Sequence, residues 1–256
     1  MTSPIAIQLY TVRDLLQEDF ETVIRRIAGI GYVGVETAGF PEGVSAAQAL
    51  ALFSDCGLTV AAGHMPLPLG DNQQKVIEMA EQLGLQRIVS GHLPPEEYQD
   101  AASIKRACTR LNEAHQVAAA HGLSFGIHNH WWEFQEVDGL YPYQVWLEEL
   151  DPAVFFELDI YWIQSAGVDP LEMVSLFGKR APLIHVKDGP AGSDTTTSMV
   201  AVGEGAVNYK AIVPTADEHT EWLIVELDRC ATDMMLAVEK SYQYLVGEGL
   251  AHGRQS

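Results

Sequence analysis

The chain of 256 residues is 47% apolar, enough for a sizeable core, and its formal net charge of -20, from 35 acidic against 15 basic residues, offers no basic stripe to a nucleic acid. Its three cysteines, Cys56, Cys108 and Cys230, stand apart, which excludes a disulfide framework or a CxxC zinc site. The opening MTSPIAIQLYT has no basic leader and no run reaches the roughly 18 apolar residues of a membrane span, so the expectation is a cytoplasmic protein with neither nucleic acid nor membrane as partner.

Strand-like runs recur in chain order at IAIQLYT (5–11), VGVET (33–37), TVAAGHM (59–65), RIVSGHL (87–93), SFGIHNH (124–130), VFFELDIYW (154–162), PLIHVKDG (182–189) and EWLIVELDR (221–229). Helical patterns lie between them. In DFETVIRRIAGIG, Phe20, Val23, Ile24 and Ile27 form an i, i+3, i+4, i+7 stripe ended by Gly29 and Gly31. Eight strand–helix units without a linker predict an α/β protein with a (β/α)8 TIM barrel as a single domain over residues 1–256. The rival open sheet would carry a glycine-rich phosphate turn after its first strand, where this chain reads YTVRDLLQED. The longest connection, GPAGSDTTTSMVAVGEG (189–205), follows the seventh strand. Its composition predicts a lid that closes over bound substrate, with Glu204 and its flanking glycines as the moving element.

Strand side chains alternate between the barrel axis and the surrounding helices. On strand five this puts Phe125 and Ile127 outward and His128 and His130 inward. Strand six sends Phe156, Leu158 and Ile160 out and Glu157, Asp159 and Tyr161 in; strand seven turns His185 and Lys187 inward, and strand eight Glu226 and Asp228. Gln8, Tyr10, Glu36, His64, Ser90 and His92 continue the inner set on the earlier strands. All lie toward C-terminal strand ends, where barrels of this type build their sites.

Buried carboxylates and imidazoles are costly unless paired or bound to a cation. The quartet Glu133, Asp159, His185 and Glu226 offers three carboxylates and an imidazole from separate strand ends, a set suited to one divalent ion, Mn2+ or Mg2+ first, with Co2+ or Zn2+ tolerated. Trp131, Trp132, Tyr161 and Trp162 could form a wall for sugar C–H faces.

QLYTVRD (8–14), GYVGVE (31–36), HNHWWEF (128–134), LDIYWIQSAGVDP (158–170), HVKD (185–188), VGEGAVNY (202–209) and VELD (225–228) together resemble the sugar phosphate isomerase/epimerase superfamily. These are the xylose isomerase-like barrels, which include tagatose/psicose 3-epimerases, inosose dehydratases and endonuclease IV. The resemblance implies one divalent metal held by a Glu on strand five, Asp159, His185 and Glu226. Strand five departs from that pattern. His128 stands where the Glu is usual, and the nearest carboxylate is Glu133 in the following loop; Glu133 is the first choice, with His128 as its neighbour and rival.

The resemblance further implies a metal-dependent sugar isomerase or epimerase, abstracting a proton beside a carbonyl through an enediolate. Glu226 and Glu133 would move the proton, Lys187 would hold a substrate oxygen, and Arg13, Glu36, His64, His128, His130 and Trp162 would contact the sugar. Glu157 and Asp228 would orient ligands. Elimination by a dehydratase or lyase on a keto-sugar, keto-inositol or keto-glycoside is the alternative with the same residues, and a non-catalytic sugar-binding barrel is the second. The partner is a small sugar, unphosphorylated because no Arg/Lys cluster marks a phosphate site; association into a homo-oligomer is left open.

Overall fold

The computed structural model describes residues 2–192, 194–216 and 218–254. Its strands are β1 (Ser3–Gln8), β2 (Gly34–Thr37), β3 (Thr59–Met65), β4 (Arg87–Ser90), β5 (Ser124–His128), β6 (Phe155–Asp159), β7 (Leu183–Val186), β8 (Trp222–Val225) and β9 (Ala251–His252). The helices are α1 (Arg13–Glu18), α2 (Phe20–Ile30), α3 (Ala46–Asp55), α4 (Gln73–Gln82), α5 (Ala101–Ala120), α6 (Pro142–Glu149), α7 (Ile160–Ser165), α8 (Pro170–Phe177), α9 (Tyr209–Ala216) and α10 (Met234–Gly247). Strands β1 to β8 pair in sequence order, all parallel, and β8 returns to β1 through Ile5↔Leu223, Ala6↔Ile224 and Ile7↔Val225, closing the predicted (β/α)8 barrel. β9 adds to the start of β1 outside the ring.

The eight predicted strands are all present, but most run past their true ends. β6 was expected to reach Trp162; it stops at Asp159, whose Oδ1 accepts the Trp162 N–H at 2.9 Å and caps α7. β1 stops at Gln8 for the same reason, its amide oxygen accepting the Tyr10 N–H at 3.0 Å. The aromatic residues beyond each stop suit a strand, but a side chain at the strand end turns the backbone into a helix. Tyr161 therefore does not continue the inward set. It lies on α7, buried, with its hydroxyl against Gly189. In α2 most of the predicted stripe holds: Val23, Ile24 and Ile27 are buried and Phe20 partly so, Asp19 caps the helix through Thr22 N–H, and the helix runs through Gly29 to end at Gly31.

Alternation separates two cores. Phe125, Ile127, Phe156, Leu158, Ile184, Val186, Leu223 and Val225 pack outward with the helices in the larger one. Ala6, Ala61, Ala62, Val89, Phe155, Leu183 and Ile224 form a smaller apolar layer of their own. A Cβ at Gly126 would collide with the Phe155 ring, so glycine at that position is what admits the phenylalanine.

The segment expected to be a lid is largely built in. Asp188 Oδ1 accepts the N–H groups of Gly189 (2.9 Å) and Val207 (3.1 Å), and Oδ2 those of Gly203 (2.9 Å) and Gly205 (3.2 Å). Val200 N–H donates to Asp188 O, Val202 N–H to Ser241 Oγ, and Met199 is buried. Glu204, the proposed moving element, is instead paired with Lys240 at 2.6 Å on the surface. Ser193, part of the same expectation, lies outside the described residues.

Candidate metal centre and active site

Two residues along each strand from the apolar layer, the inner face becomes polar and mostly ionisable: Ala6 gives way to Gln8, Gly34 to Glu36, Ala62 to His64, Gly126 to His128, Phe155 to Glu157, Leu183 to His185 and Ile224 to Glu226. These groups meet at the C-terminal end of the barrel. His185 is central. Its Nδ1 lies 2.8 Å from Glu226 Oε2, and its Nε2 lies 2.7 Å from Glu36 Oε2 and 3.1 Å from Glu157 Oε2. Gln8 Nε2 donates to the same Glu36 oxygen at 2.8 Å. Because Gln8 Oε1 already accepts a backbone N–H, the amide orientation is determined and Glu36 Oε2 is the acceptor.

Lys187 reaches in from just beyond β7. Its Nζ sits 2.9 Å from Asp159 Oδ2, 2.8 Å from Glu226 Oε2 and 3.0 Å from Asp228 Oδ2. Tyr209 anchors the lysine's backbone, its hydroxyl accepting Lys187 N–H and donating to Lys187 O. On the other side, His64 Nε2 is 2.5 Å from Glu157 Oε2, and His128 lies between the layers, Nδ1 3.4 Å from Glu157 Oε2 and Nε2 3.9 Å from Asp159 Oδ2. Asn129, which carries no chemical signal in the sequence, clamps β5 to β6: its Oδ1 accepts Asp159 N–H at 2.9 Å and its Nδ2 donates to Asp159 O at 3.3 Å. It faces away from its two histidine neighbours, so alternation alone could have marked it as a support.

Burial and pairing set the charges. Burial lifts the Asp159 carboxyl to about 6, with Lys187 and His185 pulling the other way. Burial also opposes ionisation of Glu226, but Lys187 and His185 outweigh it and hold the group well below the usual carboxylate range. For Lys187 burial is likewise overcome, by Asp159, Asp228 and Glu226, so the ammonium persists. Burial lowers His128 to about 3 and His130 well below its ordinary value, leaving both imidazoles neutral at pH 7. Burial and the neighbouring Glu157 raise Glu36 to about 7.

Two sets of donors lie close enough to share a cation, all ligand atoms of a set within 4.8 Å of one another: His128, Asp159, His185 and Glu226, and below it His64, His128, Glu157 and His185. The upper set fits a divalent ion by its chemistry, with two carboxylates and two imidazoles, and Asp159 Oδ2 already faces the Lys187 ammonium at 2.9 Å. Asp159, His185 and Glu226 are thus brought together as the sequence suggested. Glu133 is not with them, and His128 stands in its place. Glu133 lies on the short 3-10 turn Trp132–Phe134, and its Oε2 bends back to accept the His130 N–H at 2.8 Å. Burial without a cation raises its carboxyl to about 8.

Above the clusters opens a cavity of about 630 Å³ lined by Tyr10, His64, His92, His128, His130, Lys187, Glu226 and Asp228 among others. His130 stacks on Trp132 with ring centroids 4.2 Å apart, so one imidazole face is covered while the residue still borders the cavity. Three residues expected to touch the sugar lie elsewhere. Glu36 is wholly buried beneath His185. Trp162 is 2% exposed, behind Lys187, whose Nζ is 5.2 Å from its ring. Arg13 spends its guanidinium on Tyr10 O (2.8 Å) and Asp228 O (3.0 Å) at the rim.

A closed parallel barrel with its ionisable groups gathered at the C-terminal strand ends defines a TIM barrel with its site at the customary face. The family model described as xylose isomerase-like TIM barrel matches residues 24–245, and the chain belongs to that family. Among solved structures, it is similar to a sugar phosphate isomerase/epimerase from Parabacteroides distasonis ATCC 8503, at 24% identity over 98% of this chain and 96% of the other, TM-score 0.82. It is also similar to an L-ribulose 3-epimerase, at 15% identity over 97% and 94%, TM-score 0.72. A probable 3-DHS dehydratase from Bacillus anthracis follows at 16% identity over 95% and 98%, TM-score 0.72. No curated protein matches the chain in sequence.

Proposed function

We propose that the protein is a divalent-metal-dependent isomerase or epimerase of an unphosphorylated keto-sugar or polyol-type substrate. The observation that carries this reading is the convergence of His128, Asp159, His185 and Glu226 beneath a sugar-sized cavity that Lys187 also borders. The family match and the similarity to an L-ribulose 3-epimerase support it. The set would hold Mn2+ or Mg2+, with Co2+ or Zn2+ as substitutes, and the ion would supply Lewis-acid charge stabilisation beside a carbonyl.

Glu226, ionised and at the cavity edge, is the group to take a proton from carbon, a role worth roughly 10²–10⁴-fold. Lys187, held among three carboxylates, donates a hydrogen bond to the oxygen on which negative charge grows. On the strand-five side the cavity offers His130, a neutral imidazole able to return or receive the proton, where Glu133 was expected. Lys187 is the one Lys or Arg among the described cavity-lining residues and three carboxylates already balance its charge, so a phosphate dianion would find no surplus positive charge. That favours the unphosphorylated substrate.

A second reading, elimination by a dehydratase or lyase, draws on one feature: Glu133 is turned away, so among the described cavity-lining residues no carboxylate faces Glu226 from the strand-five side, as a two-base epimerisation would use. Proton NMR of a keto-sugar panel in D2O with Mn2+ tests both. Deuterium uptake with retained carbon skeleton and hydroxyls supports isomerisation, loss of a β-substituent supports elimination, and no uptake on any sugar removes both. Glu226→Gln should slow uptake at least about 100-fold.

A further inference from the structure

Two members of the lower donor set, His64 and Glu157, have no task in that reaction. His64 Nε2, His128 Nδ1, Glu157 Oε2 and His185 Nε2 face one another under the upper cluster; His64 Nε2 meets Glu157 Oε2 and His185 Nε2 meets Glu36 Oε2 at hydrogen-bond distance, while His128 Nδ1 has no such partner. Among the described residues Glu36 Oε1, Glu157 Oε1 and His128 Nδ1 are buried without a hydrogen-bond partner. Such orphaned atoms in one place point to an ion or water that they would surround. Charge points the same way. Glu36 and Glu157 are wholly buried, and their ion pairs among the described residues are to imidazoles alone, whereas the upper cluster already has the Lys187 ammonium. His64 and His128 border the cavity, so a hydrated ion entering it reaches these donors.

We propose that His64, His128, Glu157 and His185 form a second divalent-cation seat that takes Zn2+ or Co2+ in preference to Mn2+ or Mg2+, and that filling it empties the upper seat. Three imidazoles and one carboxylate are a donor set for borderline ions, whereas the upper seat has the higher share of oxygen. Exclusion follows from the shared histidines. The upper seat faces His185 Nδ1 and His128 Nε2; the lower one faces His185 Nε2 and His128 Nδ1. A neutral imidazole has one lone pair, so each ring serves one seat at a time and turns an N–H toward the other. With the upper seat filled, His185 donates to Glu36 and His128 to Glu157. With the lower seat filled, they donate to Glu226 and Asp159. The barrel thereby discriminates between metals by which nitrogen carries the proton.

The test uses the metal-stripped full chain, with Co2+ followed by its visible absorption and Mn2+ by electron paramagnetic resonance. His64→Gln removes a donor from the lower seat only, and Asp159→Asn one from the upper seat only. The expected result is that His64→Gln weakens Co2+ binding by at least about 100-fold, beyond what loss of an outer partner costs, while Asp159→Asn changes it by less than about tenfold. Zn2+ should release bound Mn2+ from the wild type. Should His64→Gln fail to fold, Glu157→Gln replaces it. Co2+ affinity that survives His64→Gln or Glu157→Gln, or that collapses with Asp159→Asn, would mean a single upper seat and overturn the proposal. Failure here leaves the upper seat standing, because Mn2+ binding and deuterium uptake report on it separately.

Discussion

The inside of this barrel holds two layers built by the same strands, and the contrast between them separates what folds the chain from what it does. In the lower layer Ala6, Ala62, Phe155, Leu183 and Ile224 pack without a polar atom. Two residues further along, Gln8, His64, Glu157, His185 and Glu226 are nearly as buried, yet ion pairs and hydrogen bonds join them to one another and to Glu36. Backbone geometry and depth are shared, so residue choice makes the difference. Burying apolar surface stabilises directly, whereas burying charge stabilises little and becomes costly once a partner is removed. The upper layer is therefore retained for chemistry at the expense of stability that the lower layer and the outer core supply.

Removing the cation of the upper layer should expose that cost most sharply. Lys187→Met leaves Asp159, Glu226 and Asp228 without their ammonium, and a loss of about 3–5 kcal/mol in urea unfolding at pH 7 is expected. A variant as stable as wild type would show that the three carboxylates need no balance. Leu183→Ala should cost about 2–5 kcal/mol by leaving a cavity, with Mn2+ affinity unchanged in whatever fraction remains folded. Altered affinity would mean that the two layers are coupled rather than stacked.

A third comparison lies within the upper layer. His128→Asn is expected to weaken Mn2+ binding by at least about tenfold, and Glu133→Gln by less than about threefold, since His128 and not Glu133 stands beside Asp159. The reverse order would restore Glu133 as a ligand. The most gradual effect concerns pH. Glu133 has a native pKa of about 8 against the ordinary 4.5, so between those values the folded chain keeps a proton that the unfolded chain releases. Stability from this group is full below pH 4.5 and is lost as pH rises to about 8, at no more than about 1.4 kcal/mol per unit. Glu133→Gln is neutral throughout. Its melting temperature should gain on the wild type across that window, and a constant difference would mean that Glu133 is ionised in the fold.

Local rules carried the reading of the sequence a long way. Period-two alternation sorts Phe156 from Glu157 and Ile184 from His185 without any knowledge of their partners, and repetition of the unit implies closure. Strand ends were not legible from the same rules. Asp159 and Gln8 stop their strands by bonding a backbone amide two or three residues ahead, which outweighs the β preference of Tyr161 and Trp162. The choice between His128 and Glu133 turned on a backward bend of one side chain onto the His130 amide, a contact that spacing does not reveal. Glu36 has the strand position expected of a sugar contact. Its depth depends on His185, far away in the chain.

Asp188 gathers the start and finish of the β7–α9 connection onto one carboxylate, so the chain leaves and returns to nearly the same point. That geometry makes the intervening stretch a natural insertion point. Closure is already enforced at its base, and doubling the length of a loop so closed costs only about 0.6 kcal/mol in chain entropy. Diversification around this barrel can thus proceed by lengthening, shortening or replacing the stretch between Gly189 and Met199 while Lys187, immediately before the knot, keeps its aim into the cavity. A segment grafted there would begin and end at that carboxylate, and loss of Asp188 would forfeit that modularity before it altered the barrel itself.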